Sequence, residues 1–192
     1  MPPKPKFTRE EIIAAALGIV SKKGVDALTA KELGDALGSS ARPIFTVFTG
    51  MGEVQQEVRA AAMRRFEDYV RRPQPDIPLF KQVGMQMVRF AMEEPKLFQL
   101  LFMQEHGGHS FGDLFSALGP TAEHCMELLR SEYELDGEMG RFLFENVWIY
   151  TFGVGALCAT GGCRFSEAQL GQMLTAEFQA MLGLLRSGAL PQ

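Results

Sequence analysis

The sequence predicts an all-α protein. Helix-start signatures recur along the chain, apolar residues repeat at helical spacing, and no convincing alternation of apolar and polar residues marks a strand. There is also no internal repeat. The chain has 192 residues, 46% of them hydrophobic and 22% charged, which suffices for one large domain or two small ones.

Thr8-Arg9-Glu10-Glu11 reads as a capping box, with Phe7 and Ile12 placed as a hydrophobic staple. The helix that follows carries Ile13, Ala16, Leu17 and Val20 and stops at Lys22-Lys23-Gly24, basic residues before a glycine. Thr29-Ala30-Lys31-Glu32 repeats the box, with Leu28 and Leu33 as staple, and opens a short helix ending near Leu37-Gly38. A third helix is expected from Ser39 or Ser40, with Pro43 in its first turn, through Ile44, Phe45 and Phe48. A fourth covers 53–70. Pro73 and Pro75 then make the clearest boundary in the chain. Beyond it helices are expected near 78–94, 95–105, 120–135, 137–160 and 166–187, with a break at His106-Gly107-Gly108-His109. A third capping box with its staple spans Phe165 to Leu170.

Three helices in so short a stretch, the second and third both short, form a helix-turn-helix pattern in residues 7–50. Gly38 supplies the positive φ that the turn requires. Leu33, Leu37, Ile44 and Phe48 are expected to pack on Ile12, Ala16 and Ile19. That leaves Ser40, Ala41, Arg42, Thr46 and Val47 to face a major groove. Charge agrees: the net charge is −4, yet residues 1–72 sum to +3 (12 basic, 9 acidic) and residues 73–192 to −7 (7 basic, 14 acidic). The organisation expected is a helix-turn-helix DNA-binding domain over 1–52, a connecting helix over 53–70, and a ligand-binding and dimerisation domain over 73–192.

Cys125, Cys158 and Cys163 are an odd count with no short-spaced pair, which argues against a disulfide framework or a zinc site. With no apolar stretch behind Met1–Lys6 to make a leader, the chain reads as cytoplasmic. The longest apolar run, Val147–Thr160, is too short for a bilayer and broken by Gly153 and Gly155, so no membrane association is expected. His106 and His109, flanked by Glu105 and with His124 and Cys125 as further candidates, raise a metal site. Their spacing matches no strong zinc pattern, and neither metal nor cofactor is expected.

The run Phe7-Thr8-Arg9-Glu10-Glu11-Ile12-Ile13-Ala14-Ala15-Ala16 resembles the start of TetR-family regulators. So do Gly24 with Leu28-Thr29, Ala36-Leu37-Gly38, and Ile44-Phe45-Thr46-Val47-Phe48. The resemblance covers roughly the first 55 residues in motif terms. It implies an operator-binding surface drawn from Lys4, Lys6, Arg9, Thr29, Lys31, Ser39, Ser40, Ala41, Arg42, Pro43, Phe45, Thr46, Val47 and Thr49. The family usually has Tyr at Phe45, and often His at Val47 and Lys at Met51, so three polar contacts are missing here. Arg42 is expected to carry much of the base readout, because Arg bidentate to guanine is the commonest specific contact.

The resemblance also implies a small-molecule site among the C-terminal helices. Phe90, Phe98, Phe102, Met103, His106, His124, Phe144 and Trp148 are candidates to line it, and the apolar wall composition suggests a largely apolar effector of unknown identity. Each of these aromatic residues has core packing as its plainer reading. Two helical stripes suggest a homodimer interface: Phe142, Asn146, Ile149 and Gly153 on one helix, and Leu170, Leu174, Phe178, Met181 and Leu185 on the other. The alternative is that both stripes pack inward within one subunit. The sequence thus reads as a ligand-responsive repressor, repression being the family's usual sign. A helical ligand- or protein-binding module that has lost DNA binding is the rival. An enzyme is disfavoured, because no Ser-His-Asp order with supporting turns, P-loop or dinucleotide fingerprint is present.

Overall fold

The computed structural model describes residues 5–104 and 111–188. Within them the secondary structure is helical and no strand occurs. Two compact units emerge: Met1–Phe66 with Glu94–Gln104, and Glu67–Glu93 with Glu105–Gln192.

In the first unit α1 (Arg9–Lys23) begins as its sequence dictates. Thr8 Oγ1 accepts from the Glu11 amide at 3.2 Å, and Glu11 Oε2 accepts from the Thr8 amide at 2.8 Å. Gly24 ends the helix at φ 89°. α2 (Ala30–Ala36) has only half of its expected box. Thr29 Oγ1 accepts from the Glu32 amide at 3.2 Å, but the Thr29 amide already donates to Ala27 O at 3.0 Å. Glu32 instead pairs with Lys23. Gly38 follows α2 at φ 64°, as the turn requires.

The expected third α-helix is only a 3-10 turn, Ile44–Thr46. Its bonds run from Ile44 N–H to Ala41 O, Thr46 N–H to Pro43 O and Val47 N–H to Ile44 O. Pro43 removes one donor, and Ile44 and Phe48 are both drawn into the core. Thr49 is already engaged by Glu53 in the first turn of α3, so no further turn can form.

α3 (Met51–Val70) carries Val54, Val58, Ala62 and Phe66 as one buried stripe. α5 (Pro95–Phe102) packs on α1, and Phe98 and Phe102 join Phe66 in an aromatic cluster, with Phe66 and Phe102 at 5.0 Å and Phe98 and Phe102 at 5.1 Å. Arg59 donates to Leu100 O at 2.7 Å and Leu101 O at 2.8 Å, satisfying carbonyls of the last turn of α5. Glu94, just before α5, accepts from Ser21 Oγ at 2.7 Å and pairs with Arg65. A helix expected to belong with the C-terminal region therefore packs among the N-terminal ones. Its face of Leu97, Phe98 and Leu101 is fully buried there, each side chain contributing about 1.5–3 kcal/mol.

The second unit is built from α4 (Leu79–Glu93), α6 (Phe111–Leu118), α7 (Pro120–Tyr133), α8 (Gly137–Ala159) and α9 (Glu167–Arg186). α4 packs on α7, α8 and α9, and α8 also contacts α7 and α9. α6 was not anticipated from the sequence. The Ser166 box at the start of α9 forms in full, with Ser166 Oγ and Gln169 Oε1 each accepting an amide. Arg89 of α4 pairs with Glu167, joining α4 to that helix start. α8 has 23 residues, in agreement with the helix expected near 137–160, and it extends the apolar run Val147–Thr160 with ten residues before it. By length and composition it could cross a membrane, but Leu143, Phe144, Val147, Trp148, Thr151 and Val154 face the core of this unit.

Candidate functional site

The first unit offers a polar surface around the turn between α2 and the 3-10 segment. Gly34 allows α2 to approach that turn. A Cβ on Gly34 would lie 2.9 Å from Ala41 N and Ser40 C and 3.0 Å from Ser39 O. The Ser39 amide donates to Gly34 O at 2.9 Å and locks the approach. The turn presents Ser40, Arg42, Phe45 and Thr46 to solvent, with Ser39, Ala41, Pro43 and Val47 half-buried. Thr46 Oγ1 donates to Pro43 O at 2.6 Å, so its hydroxyl already serves the backbone. Phe45 is 46% exposed, an apolar ring on an otherwise polar surface.

Lys6 Nζ donates to Ser39 Oγ at 3.0 Å, which brings the N-terminal segment to this turn. Lys31 and Thr29 are exposed at the start of α2. Neither Lys31 nor Arg42 has an ion-pair partner among the described residues. Lys4 lies outside the described residues.

Two residues expected on this surface are engaged elsewhere. Arg9 Nη2 lies 2.8 Å from both Glu53 Oε1 and Glu57 Oε1, and its guanidinium sits 4.4 Å from the Phe48 ring centroid. Hydrogen bonds donated to the two carboxylates raise the Arg9 pKa, the one to Glu57 foremost. The Thr49 amide and hydroxyl both donate to Glu53 Oε2, at 2.8 and 3.0 Å. The Thr49 amide, then Arg9 and the Thr49 hydroxyl, hold the Glu53 carboxyl below its ordinary range. Arg9 and Thr49 are therefore braces between α1, Phe48 and α3, not free contacts. The sequence reading missed Glu53 and Glu57, although an acid three residues into a helix that follows Thr49-Gly50 is a recognisable signal.

The second unit holds a cavity of about 290 Å³ between α4, α7, α8 and α9. Phe80, Gly84, Tyr133, Val147, Thr151, Leu174 and Phe178 form much of its wall, and Pro78, Lys81, Thr175 and Gln179 complete it. The Phe178 ring lies tilted against Phe80 at 5.6 Å and against Tyr133 at 4.8 Å. A smaller space of about 30 Å³ shares Phe80, Gly84, Val147 and Thr151 with it and is closed by Cys125, Phe144 and Trp148.

Of the expected ligand contacts, Phe144 and Trp148 line the smaller space. Phe98 and Phe102 instead fill the core of the first unit, since α5 packs there. Phe90 is buried edge-on to Tyr69 at 5.5 Å, Met103 is exposed and His124 is partly exposed. His106 lies outside the described residues, as do Glu105 and His109. Among the described residues no group of three or more His, Cys, Asp or Glu could hold a metal ion.

The dimer stripes also divide. Leu170, Leu174, Phe178 and Leu185 are buried inside their own unit: Leu170 packs with Val88 and Val154, and Phe178 with Phe80 and Tyr133. These four follow the alternative in which the α9 stripe turns inward, because α9 must cover the apolar face of α4. Met181 is half-buried. On α8, Ile149 is 56% and Leu157 48% exposed, and nothing lies within 4 Å of a Cβ built on Gly153. Phe142 and Asn146 are half-buried, with Asn146 Nδ2 donating to Phe142 O at 2.8 Å.

The described residues are helical throughout, with a helix-turn-helix-like turn in the first unit and a helix-walled cavity in the second. Two solved structures share this fold. One, from Vibrio parahaemolyticus, is described as a TetR-family transcriptional regulator; it is 17% identical, with a TM-score of 0.66 over 90% of this chain and 97% of that one. The other, from Mesorhizobium loti, carries the same family description; it is 20% identical, with a TM-score of 0.57 over 93% of this chain and 98% of that one. No protein-family model and no curated protein matches the sequence.

Proposed function

We propose that this chain is a DNA-binding transcriptional regulator of the TetR type. It represses as a homodimer in the cytoplasm, and its operator affinity falls when a small molecule enters the second unit. The observation that carries the reading is the surface at the α2 turn. Gly34 holds the turn against α2, the basic groups Lys6, Lys31 and Arg42 lie around it, and Phe45 stands exposed beside them. Phosphate contacts from such cations position a protein on the duplex, and a side chain reaching base edges adds sequence preference. Phe45 suits apolar contact with a thymine methyl or a sugar. With Arg9 braced by two carboxylates, Arg42 is the strongest remaining candidate for base readout.

A dimer would place two such turns in successive major grooves of a near-palindromic operator. The exposed α8 face of Ile149, Gly153 and Leu157 supports a two-fold contact between copies. An effector that binds one arrangement of the dimer better than the other shifts the population by that difference in affinity and no more.

Gel-shift titration on the DNA flanking its own gene tests the reading. Affinity should fall steeply with salt, and Arg42→Ala should relax sequence preference at a cost of about 1–3 kcal/mol. Unchanged affinity and preference in Arg42→Ala would remove Arg42 from the interface. No salt-sensitive binding to any DNA would favour the rival, a helical module without DNA binding, for which the braced Arg9 and the apolar Phe45 already speak.

A further inference from the structure

The effector cavity has a polarity of its own. Its inner wall is aromatic and aliphatic, with Phe80, Leu174 and Phe178 prominent. Its remaining polar groups divide into two kinds. Thr151 and Thr175 have hydroxyls that donate to helix carbonyls, to Val147 O and Gly171 O, each at 2.7 Å. Lys81, Tyr133 and Gln179 have no hydrogen-bond or ion-pair partner among the described residues.

Among the described residues Lys81 shares the lack of a carboxylate partner with Arg130, Arg164 and Arg186, but of these four only Lys81 lines the cavity. Arg89 is paired with Glu167 and Arg141 with Glu145, whereas Lys81 meets no carboxylate among the described residues. Its ammonium lies beside Gly171, at an ordinary contact distance of 3.6 Å from where a Cβ on that residue would sit, in the open groove that adjoins the cavity. Burial raises the Tyr133 pKa, with Glu132 adding to the rise, so the phenol stays a protonated donor at neutral pH. One cation and two neutral hydrogen-bonding groups thus border an apolar chamber.

We propose that this cavity takes an apolar monocarboxylate, with its body among Phe80, Leu174 and Phe178 and its carboxylate met by Lys81, Tyr133 and Gln179. A cation on a partly exposed rim favours an anion, and the apolar wall rejects a small hydrated one. Glu132, adjacent to Tyr133, disfavours a doubly charged head. The volume is near the lower end of the ~300–1,000 Å³ of small-molecule sites, so the ligand has roughly a dozen non-hydrogen atoms. The inference rests on the effector part of the function proposed above and does not require DNA binding.

Isothermal titration calorimetry on the full chain without DNA tests it, with decanoate and 4-phenylbutyrate as probes and 1-decanol and 4-phenylbutanol as neutral counterparts. Each acid should bind saturably and measurably tighter than its alcohol, by up to about five-fold, the span expected of one partly exposed charge pair. Lys81→Met should erase that preference, and Lys81→Arg should retain it. Gly84→Leu, which fills the chamber, should abolish binding of acids and alcohols alike, with circular dichroism confirming its helical content. Failure of both acids to bind, equal binding of acid and alcohol, or a preference surviving in Lys81→Met each overturns the proposal. Operator binding measured separately keeps the two readings apart. Loss of acid binding with operator binding intact refutes only this inference, and the reverse refutes only the DNA-binding reading.

Discussion

Gly34→Ala is the substitution that most directly probes the helix-turn-helix geometry. A Cβ at this position meets Ala41 N and Ser40 C at 2.9 Å and Ser39 O at 3.0 Å, all main-chain atoms that cannot rotate away. Optimal contact begins near about 3.5 Å, so α2 and the turn must separate by about half an ångström. Overpacking of this kind costs about 1–3 kcal/mol. Alanine recovers about 1 kcal/mol of helix propensity over glycine, leaving a net loss of up to about 2 kcal/mol. Gly18 is the internal control: it lies within α1 with nothing within 4 Å of its Cβ position. Gly18→Ala should therefore stabilise, by about 0.5–1 kcal/mol. Urea denaturation followed by circular dichroism compares the midpoints of the three proteins. If Gly34→Ala rose as much as Gly18→Ala, the close approach of α2 to residues 39–41 would be refuted.

Four further outcomes are expected. Ile149→Glu with Leu157→Glu should lower the mass measured by sedimentation equilibrium to that of a monomer with little loss of helicity, since both side chains are exposed; an unchanged mass removes this face from the interface. Phe178→Glu, by contrast, places a charge in the core against Phe80 and Tyr133 and should unfold the second unit, which circular dichroism and melting would report. The Glu53 carboxyl is held below its ordinary range, so its contribution is fully present above the unfolded pKa and is lost as pH falls through the lower folded value. Melting temperature measured downward from about pH 6 should therefore decline less steeply in Glu53→Gln than in the parent. The Cys125 thiol is pushed up to about 12 by burial, while Cys158 and Cys163 are half-buried. A thiol reagent at neutral pH should label the latter two first and reach Cys125 only with unfolding, as mass spectrometry of the labelled peptides would show.

Helix starts were legible because a capping box is a local event. Thr8 and Ser166 need only their own next three residues, and both boxes form as expected. Thr29 shows the limit: its pattern is intact, but Lys23 draws the Glu32 carboxylate away and Ala27 O takes the Thr29 amide. Arg9 shows it again, since two acids some fifty residues away in sequence claim a side chain that its position alone would assign to DNA. α6 is hard to read from sequence because it spans only eight residues, too few for a helical repeat of apolar positions to show.

The sequence by itself determined the all-helical class, the start and stop of α1, the left-handed turn at Gly38 and the buried residues Ile12, Leu33, Ile44 and Phe48. Each follows from neighbours a few positions apart, where backbone hydrogen bonding and apolar spacing act. Only the tertiary structure decided which apolar stripes turn inward and where α5 belongs. It also decided that Arg9 is a brace, and that Lys81, Tyr133 and Gln179 border one chamber. Those outcomes depend on side chains competing for partners across distant segments. A buried apolar face or a carboxylate goes to whichever segment the packing brings within reach, and spacing along the chain carries no record of that contest.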